Sequence, residues 1–271
     1  MEEAEKLLFD AEVAQRYDTF MGPFVFEPFA VDMAQRVLKS GAENILEIAC
    51  GTGRVTRHLA AGLPAQGRIT ATDISEPMLQ VGRNALPDAR ISWLVARAEA
   101  LPFADDSFDA VVCQFGLMFF EDRKTALHEM WRVLKPGGIL CFNTWNRRDY
   151  CKAIDISRNT IATFFPGGEP ENSNLPFSMY DPEAFQEWMQ QAGFENTEIQ
   201  LLEKTGVSPT ARDAATGMVT ANHLYHFIRK QGKEMELRIL DAVTAELSLK
   251  LGDAPLQSPL SAWVVSGYKP N

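Results

Sequence analysis

The chain has 271 residues, 46% apolar and 23% charged, a balance that suits one or two globular domains and excludes wholesale disorder. Lys and Arg number 26 against 36 Asp and Glu, a net charge of −10, and so acidic a surface argues against nucleic acid or anionic lipid as a partner. The longest uncharged apolar run, Ala110 to Phe120, is too short to insert in a membrane, and the amino terminus lacks the pattern of a secretory signal. The four cysteines, Cys50, Cys113, Cys141 and Cys151, contain no Cys-x-x-Cys pair, which predicts reduced buried thiols in a cytoplasmic protein and no metal site.

In chain order, Asn44 to Ala49, Arg68 to Thr72, Ile91 to Val95, Phe108 to Gln114 and Ile139 to Thr144 are short apolar runs with strand composition. Between them, Arg54 to Ala61, Ser75 to Ala85 and Glu121 to Leu134 have helical composition, and the last stops at Lys135-Pro136-Gly137-Gly138. Alternation of this kind predicts βαβ units and a parallel sheet with helices on both faces, since the runs are apolar on both sides. The second half is less regular. Asn146 to Tyr180, rich in Pro and Gly, predicts a loop-rich excursion. Asp181 and Pro182 open a helix as N-cap and first-turn residue, Thr197 to Leu202 resembles a strand, and Ala211 to Leu251 is helical with interruptions at Gly217 and Gly232. Ala262 to Tyr268 predicts a terminal strand.

The most informative stretch is Ile45-Leu46-Glu47-Ile48-Ala49-Cys50-Gly51-Thr52-Gly53-Arg54-Val55-Thr56, a strand entering Gly-x-Gly and then a helix. The glycines allow a sharp turn and close approach to a ligand, and the helix start offers free N–H groups. Twenty residues past Gly53, at the end of the second run, Asp73 is placed to accept both ribose hydroxyls of an adenosine. A dinucleotide enzyme would want a third glycine where Thr56 stands, and Glu47 would repel its pyrophosphate while attracting an ammonium. An adenosine joined to an amino acid without phosphate, S-adenosylmethionine, satisfies Glu47 and Asp73 together.

These residues resemble the first motifs of the class I S-adenosylmethionine-dependent methyltransferases. Glu47 to Gly53 is similar to the first motif and Asp73-Ile74-Ser75-Glu76-Pro77-Met78-Leu79 to the second. Ala98 to Phe103 with Ser107 to Val112 resembles the third and fourth, and Arg132 to Gly138 the turn before the fifth strand. The closest subgroup is the small-molecule enzymes that include the ubiquinone and menaquinone C-methyltransferases, and the likeness runs from about Tyr17 to Trp145. It implies a Rossmann-like α/β fold: a seven-stranded, mostly parallel sheet whose last strand is antiparallel, with helical cap insertions. The whole chain is then one methyltransferase domain: an arm or lid at 1–40, a cofactor core at 41–145, the excursion at 146–180, a helix and strand at 181–205, a cap insertion at 206–258 and the last strand at 259–271.

The resemblance also implies site roles. Glu47 would lie near the methionine ammonium, and Ala49, Cys50, Gly51, Thr52 and Gly53 would line the cofactor. Asp73 would hold the ribose, Ile74 and Met78 would pack on the adenine, and Ala98 would offer its N–H to that ring. Gln114 and Phe115 would lie near the methionine moiety, and Tyr17 would close over its carboxylate. Arg97 stands where the family often has an Asp that accepts the adenine amino group; Arg only donates, so either Glu99 accepts instead or the contact is missing. The acceptor is expected to be a small apolar molecule. Trp145 and the insertion residues Met218, His223, Tyr225, His226 and Phe227 are candidates for its pocket. No catalytic acid or base is assigned, because displacement from a sulfonium needs chiefly alignment of the reactants. The alternatives are a non-catalytic S-adenosylmethionine-binding protein and an NAD(P)-dependent oxidoreductase.

Overall fold

The computed structural model describes residues 10–166, 173–222 and 224–271. In chain order its first elements are α1 (Ala11–Arg16), a π-helical stretch (Tyr17–Phe26), α2 (Glu27–Lys39), β1 (Asn44–Ile48), α3 (Arg54–Gly62), β2 (Arg68–Asp73) and α4 (Glu76–Ala85). Next come β3 (Ile91–Val95), β4 (Phe108–Gln114), α5 (Arg123–Val133), β5 (Leu134–Trp145), α6 (Lys152–Ala162) and α7 (Pro182–Gln191). The chain finishes with β6 (Glu195–Ser208), α8 (Ala211–Thr220), α9 (Tyr225–Arg229), α10 (Lys233–Leu251) and β7 (Leu256–Tyr268). These elements form two compact units. The described residues of Phe29–Asn146, Pro176–Leu202 and Ala262–Asn271 make a sheet unit, and those of Met1–Pro28, Arg147–Leu175 and Glu203–Ser261 make a helical unit.

The seven strands lie in the order β3-β2-β1-β4-β5-β7-β6. Strands β1 to β5 pair in parallel, with Ile45 beside both Ile69 and Ala110, and Ala110 beside Ile139. The last strand runs antiparallel to β5, pairing Ala262 with Trp145 and Tyr268 with Ile139. One face buries Ile45, Ile69, Ala110, Val112 and Cys141 against Met33 and Val37 of α2 and Leu59 of α3. The opposite face buries Phe142, whose ring meets Phe185 of α7 edge-on at 6.3 Å. Such two-sided burial is what the apolar runs predict. Asp181 caps α7 by accepting the Glu183 N–H at 3.0 Å, with Pro182 in the first turn.

In the helical unit two expectations are corrected. The Asn146–Tyr180 segment is not simply loop: α6 occupies Lys152–Ala162, and Ala153, Ile154, Ser157 and Ile161 form its buried stripe. That stretch contains no Pro or Gly, and the glycines and prolines beyond it obscure its helical spacing; 167–172 lie outside the described residues. Gly217 does not interrupt its helix. It lies inside α8, where a Cβ would come within 3.1 Å of the Phe20 side chain and 3.2 Å of the Met21 sulfur, so close packing explains the glycine. The helix ends instead after Thr220.

Candidate functional site

The loop after β1 turns through left-handed backbone at Ala49 (φ 53°), Gly51 (56°) and Gly53 (77°). The Cys50 N–H donates to the Thr72 carbonyl at 2.9 Å, tying the loop to β2. A Cβ at Gly53 would lie 2.5 Å from the Trp93 ring, and one at Gly82 of α4 would lie 2.6 Å from it. The two glycines therefore make room for Trp93. Gly51 is different: a Cβ there would meet no atom within 4 Å, so the space beside it is open. Cys50 and Thr52 are buried within the loop, and burial pushes the Cys50 thiol up, so it stays protonated.

Asp73, the last residue of β2, is partly exposed. Its Oδ2 accepts the Gly51 N–H and its Oδ1 the Ser75 N–H, both at 2.8 Å. Each oxygen keeps capacity for a second donor. Burial raises its pKa against the opposing pull of the Ser75, Gly51 and Ile74 N–H groups. Glu47 is fully buried, and Thr56 Oγ donates to its Oε2 at 2.5 Å. Burial pushes the Glu47 carboxyl up to about 8, against the Thr56 hydrogen bond and with the Asp73 charge adding to it. Thr56 holds the position where a dinucleotide loop would have glycine, and in this chain that position serves the carboxyl.

Around the expected adenine position, Ile74 is half exposed and Met78 and Ala98 are buried. Glu99 Oε1 accepts the Glu121 N–H at 3.0 Å. Arg97 reaches Glu121 Oε2 at 3.1 Å and Glu99 Oε2 at 3.7 Å. The guanidinium thus links the loops after β3 and β4.

At the carboxyl ends of β4 and β5, Gln114 stands beside Asn143 in register. Gln114 Oε1 is buried and has no hydrogen-bond partner among the described residues. Phe115 carries a positive φ of 52° and lies flat on Trp145, with ring centres 3.8 Å apart. Phe29, from the first turn of α2, meets both rings edge-on at 5.3 and 5.5 Å. Phe177 adds a tilted contact to Trp145 at 6.3 Å. Trp145 is thereby buried in an aromatic cluster at this end of the sheet. Gly116 brings the turn onto the first loop: a Cβ there would lie 2.5 Å from the Ala49 Cβ.

Thr56 entered the sequence reading only as a missing glycine, without its bond to Glu47, and Trp93 and Asn143 escaped it altogether. Asn143 did leave a trace, a polar residue directly after the apolar run Leu140-Cys141-Phe142. Within the helical unit, Tyr17 stacks on Phe26 at 5.0 Å. The buried Tyr225 hydroxyl accepts from Arg16 at 3.1 Å and donates to Glu236 at 3.3 Å. His226 is exposed, Met218 is buried, and Phe227 packs at 4.7 Å from Phe165. His223 lies outside the described residues.

The residues of the sheet unit fit S-adenosylmethionine. The open side of Gly51, the two carboxyls of Glu47 and Asp73 and the unpartnered Gln114 oxygen make an acceptor-rich set, suited to hydroxyl and ammonium groups rather than phosphates. A family model described as a methyltransferase domain matches residues 46–142. The demethylmenaquinone methyltransferase of Clavibacter sepedonicus is 34% identical over 228 residues, covering 77% of this chain and 91% of that protein. The ubiquinone/menaquinone biosynthesis C-methyltransferase of Hahella chejuensis is 41% identical over 162 residues, 55% of this chain and 64% of its own length. Among solved structures, a Haemonchus contortus phosphoethanolamine N-methyltransferase in complex with S-adenosylmethionine has a TM-score of 0.61 at 16% identity, covering all of this chain and 60% of that one. The cyclase SpnF has a TM-score of 0.58 at 17% identity, with 96% of each chain covered. A methyltransferase and a cyclase on one scaffold show that the fold does not name the reaction. The sequence relationship does: the chain belongs to the class I S-adenosylmethionine-dependent methyltransferases, which transfer a methyl group from that donor to an acceptor, here a small molecule.

Proposed function

We propose that the protein methylates a carbon of a small, planar, largely apolar acceptor, and that the loop after β1, Asp73 and the end of β4 hold the methyl donor. The names of the Clavibacter and Hahella relatives support the choice of carbon and of a quinone-like acceptor. The observation that carries the reading is the aromatic cluster of Phe29, Phe115 and Trp145 at the carboxyl ends of β4 and β5, the end of the sheet where ligands of such folds bind. The three rings are buried against one another, so they line that end of the sheet with apolar, aromatic packing, which suits an apolar acceptor.

When bound, S-adenosylmethionine supplies a methyl group already activated on a sulfonium. The chain's own part is then binding and alignment. Asp73 accepts the ribose hydroxyls on the lone pairs left by the Gly51 and Ser75 N–H groups. Ile74 offers an exposed apolar surface to the adenine, and the backbone of Ala98 its N–H. Glu47 would release its proton to solvent as the ligand ammonium binds beside it, and the Thr56 hydroxyl steadies the resulting carboxylate. Glu99 accepts the Glu121 N–H and pairs with Arg97, which steadies the adenine loop, and its remaining lone pairs are open to the adenine amino group. Alignment of this kind supplies roughly 7–11 kcal/mol of barrier reduction in well-oriented reactions.

The test is transfer itself. The protein, given S-adenosylmethionine and 1,4-dihydroxynaphthalene kept from oxidation, should yield a product heavier by one methyl whose NMR spectrum places that methyl on a ring carbon, with both hydroxyls still free. An O-methyl ether, or transfer only to polar amines, would overturn the acceptor assignment.

A further inference from the structure

Asn143 is wholly buried near the carboxyl end of β5, yet among the described residues only one end of its amide is used. Its Oδ1 accepts the Phe115 N–H at 2.9 Å, and its own backbone carbonyl receives the same N–H at 3.3 Å. Its Nδ2 is buried and has no hydrogen-bond partner among the described residues. The need of the Phe115 N–H for an acceptor sets which way the amide points.

Two facts make this more than packing. A leucine of similar shape would fill the space without burying a donor, so an amide kept here points to a demand for its oxygen. That demand is visible in Phe115, which holds a left-handed backbone (φ 52°) that a bulky aromatic residue avoids. Strained backbone of this kind persists only where neighbours hold it, and it concentrates at binding sites. The two acceptors from Asn143 do the holding. The turn they fix lays the Phe115 ring flat on Trp145 and ends β4 at Gln114, whose Oε1 is also buried and without a hydrogen-bond partner among the described residues.

We propose that Asn143 is a positioning residue for the methyl donor: its Oδ1 fixes the left-handed turn at Phe115, and through that turn the Gln114–Phe115 edge that meets the amino-acid end of the cofactor. This rests on the assignment of Gln114 and Phe115 to that end. Asn143 touches no reacting atom. A glycine in place of Phe115 adopts the same φ unaided, so the proposal makes the two positions interdependent.

The experiment is calorimetric titration of the full chain with S-adenosylhomocysteine and, separately, with adenosine, which lacks the amino-acid part. Asn143→Leu should weaken S-adenosylhomocysteine tenfold or more and adenosine less than threefold. In a Phe115→Gly background the same substitution should change S-adenosylhomocysteine affinity less than threefold. Should Asn143→Leu not fold, Asn143→Asp at pH 6, which keeps an oxygen for the Phe115 N–H, should stay within threefold of the unsubstituted protein, whereas a tenfold loss there would overturn the proposal. Equal losses for both ligands, or a full loss persisting in the Phe115→Gly background, would reduce Asn143 to a packing residue. If the unsubstituted protein bound neither ligand, the cofactor reading itself would fall; normal binding by that protein together with an unaffected Asn143→Leu variant would sink only the role of Asn143.

Discussion

The Thr56 hydroxyl donates to Glu47 Oε2 at 2.5 Å, and both side chains are fully buried. Helix α3 brings Thr56 back over the strand it follows, so a buried carboxyl is held beside the loop expected to receive a cation. Because burial raises the Glu47 pKa to about 8 from 4.5, the folded protein holds a proton there that the unfolded chain has lost. Folding stability should therefore fall as pH rises from about 5 to 8, by up to about 1.4 kcal/mol per pH unit, and level off above that. Glu47→Gln, which cannot titrate, should flatten this slope. Denaturant melts of both proteins across that range decide it; identical slopes would contradict the assignment.

The same proton should report on the ligand. An ammonium beside Glu47 favours the carboxylate, so binding S-adenosylmethionine at pH 7 should release a proton from this group. Calorimetry in two buffers of different ionisation enthalpy should give different apparent heats, and Glu47→Gln should shrink the difference. The substitution should also cost far more affinity for S-adenosylmethionine than for adenosine. Equal losses would make Glu47 a support of the loop alone.

Asp73 has two duties, the Gly51 and Ser75 N–H groups and the ribose. Asp73→Ala should weaken S-adenosylmethionine binding by about 1.5–3 kcal/mol through the charge-assisted bonds alone. Loosening of the loop adds to that. Unchanged affinity in a folded variant would remove Asp73 from the site.

Gly51 and Gly53 should separate binding from stability. Both have positive φ, so alanine at either carries left-handed strain of roughly 1–2 kcal/mol. Only at Gly53 would the new methyl also run into Trp93, at 2.5 Å. Gly53→Ala should lower the melting temperature more, whereas Gly51→Ala should lose cofactor affinity out of proportion to its stability, because its methyl points into open space. Comparable melting losses in both would contradict that geometry.

Much of the sheet unit was legible in the sequence because its cues are local. Strand, glycine turn and helix start follow one another from Ile45 to Thr56, and Asp181-Pro182 announces its helix within two residues. What stayed hidden depends on distant partners. Asn143 meets Phe115 across 28 positions, and nothing near either residue records that pairing. Trp93 explains Gly53 and Gly82 only once three elements are packed together. Glu99 is tied to the Glu121 backbone and to Arg97, and the link to Glu121 spans 22 positions that leave no local mark. Helix α6 was missed because Pro and Gly beyond Ala162 dominate the composition of a segment whose first half contains neither.

A crystal structure of the protein with S-adenosylhomocysteine tests the central claim most directly. The account predicts both ribose hydroxyls within about 3 Å of the Asp73 carboxylate, with the amino group on the Glu47 side of the Gly51 loop. A ligand bound with its ribose away from Asp73, or on another part of the chain, would contradict it.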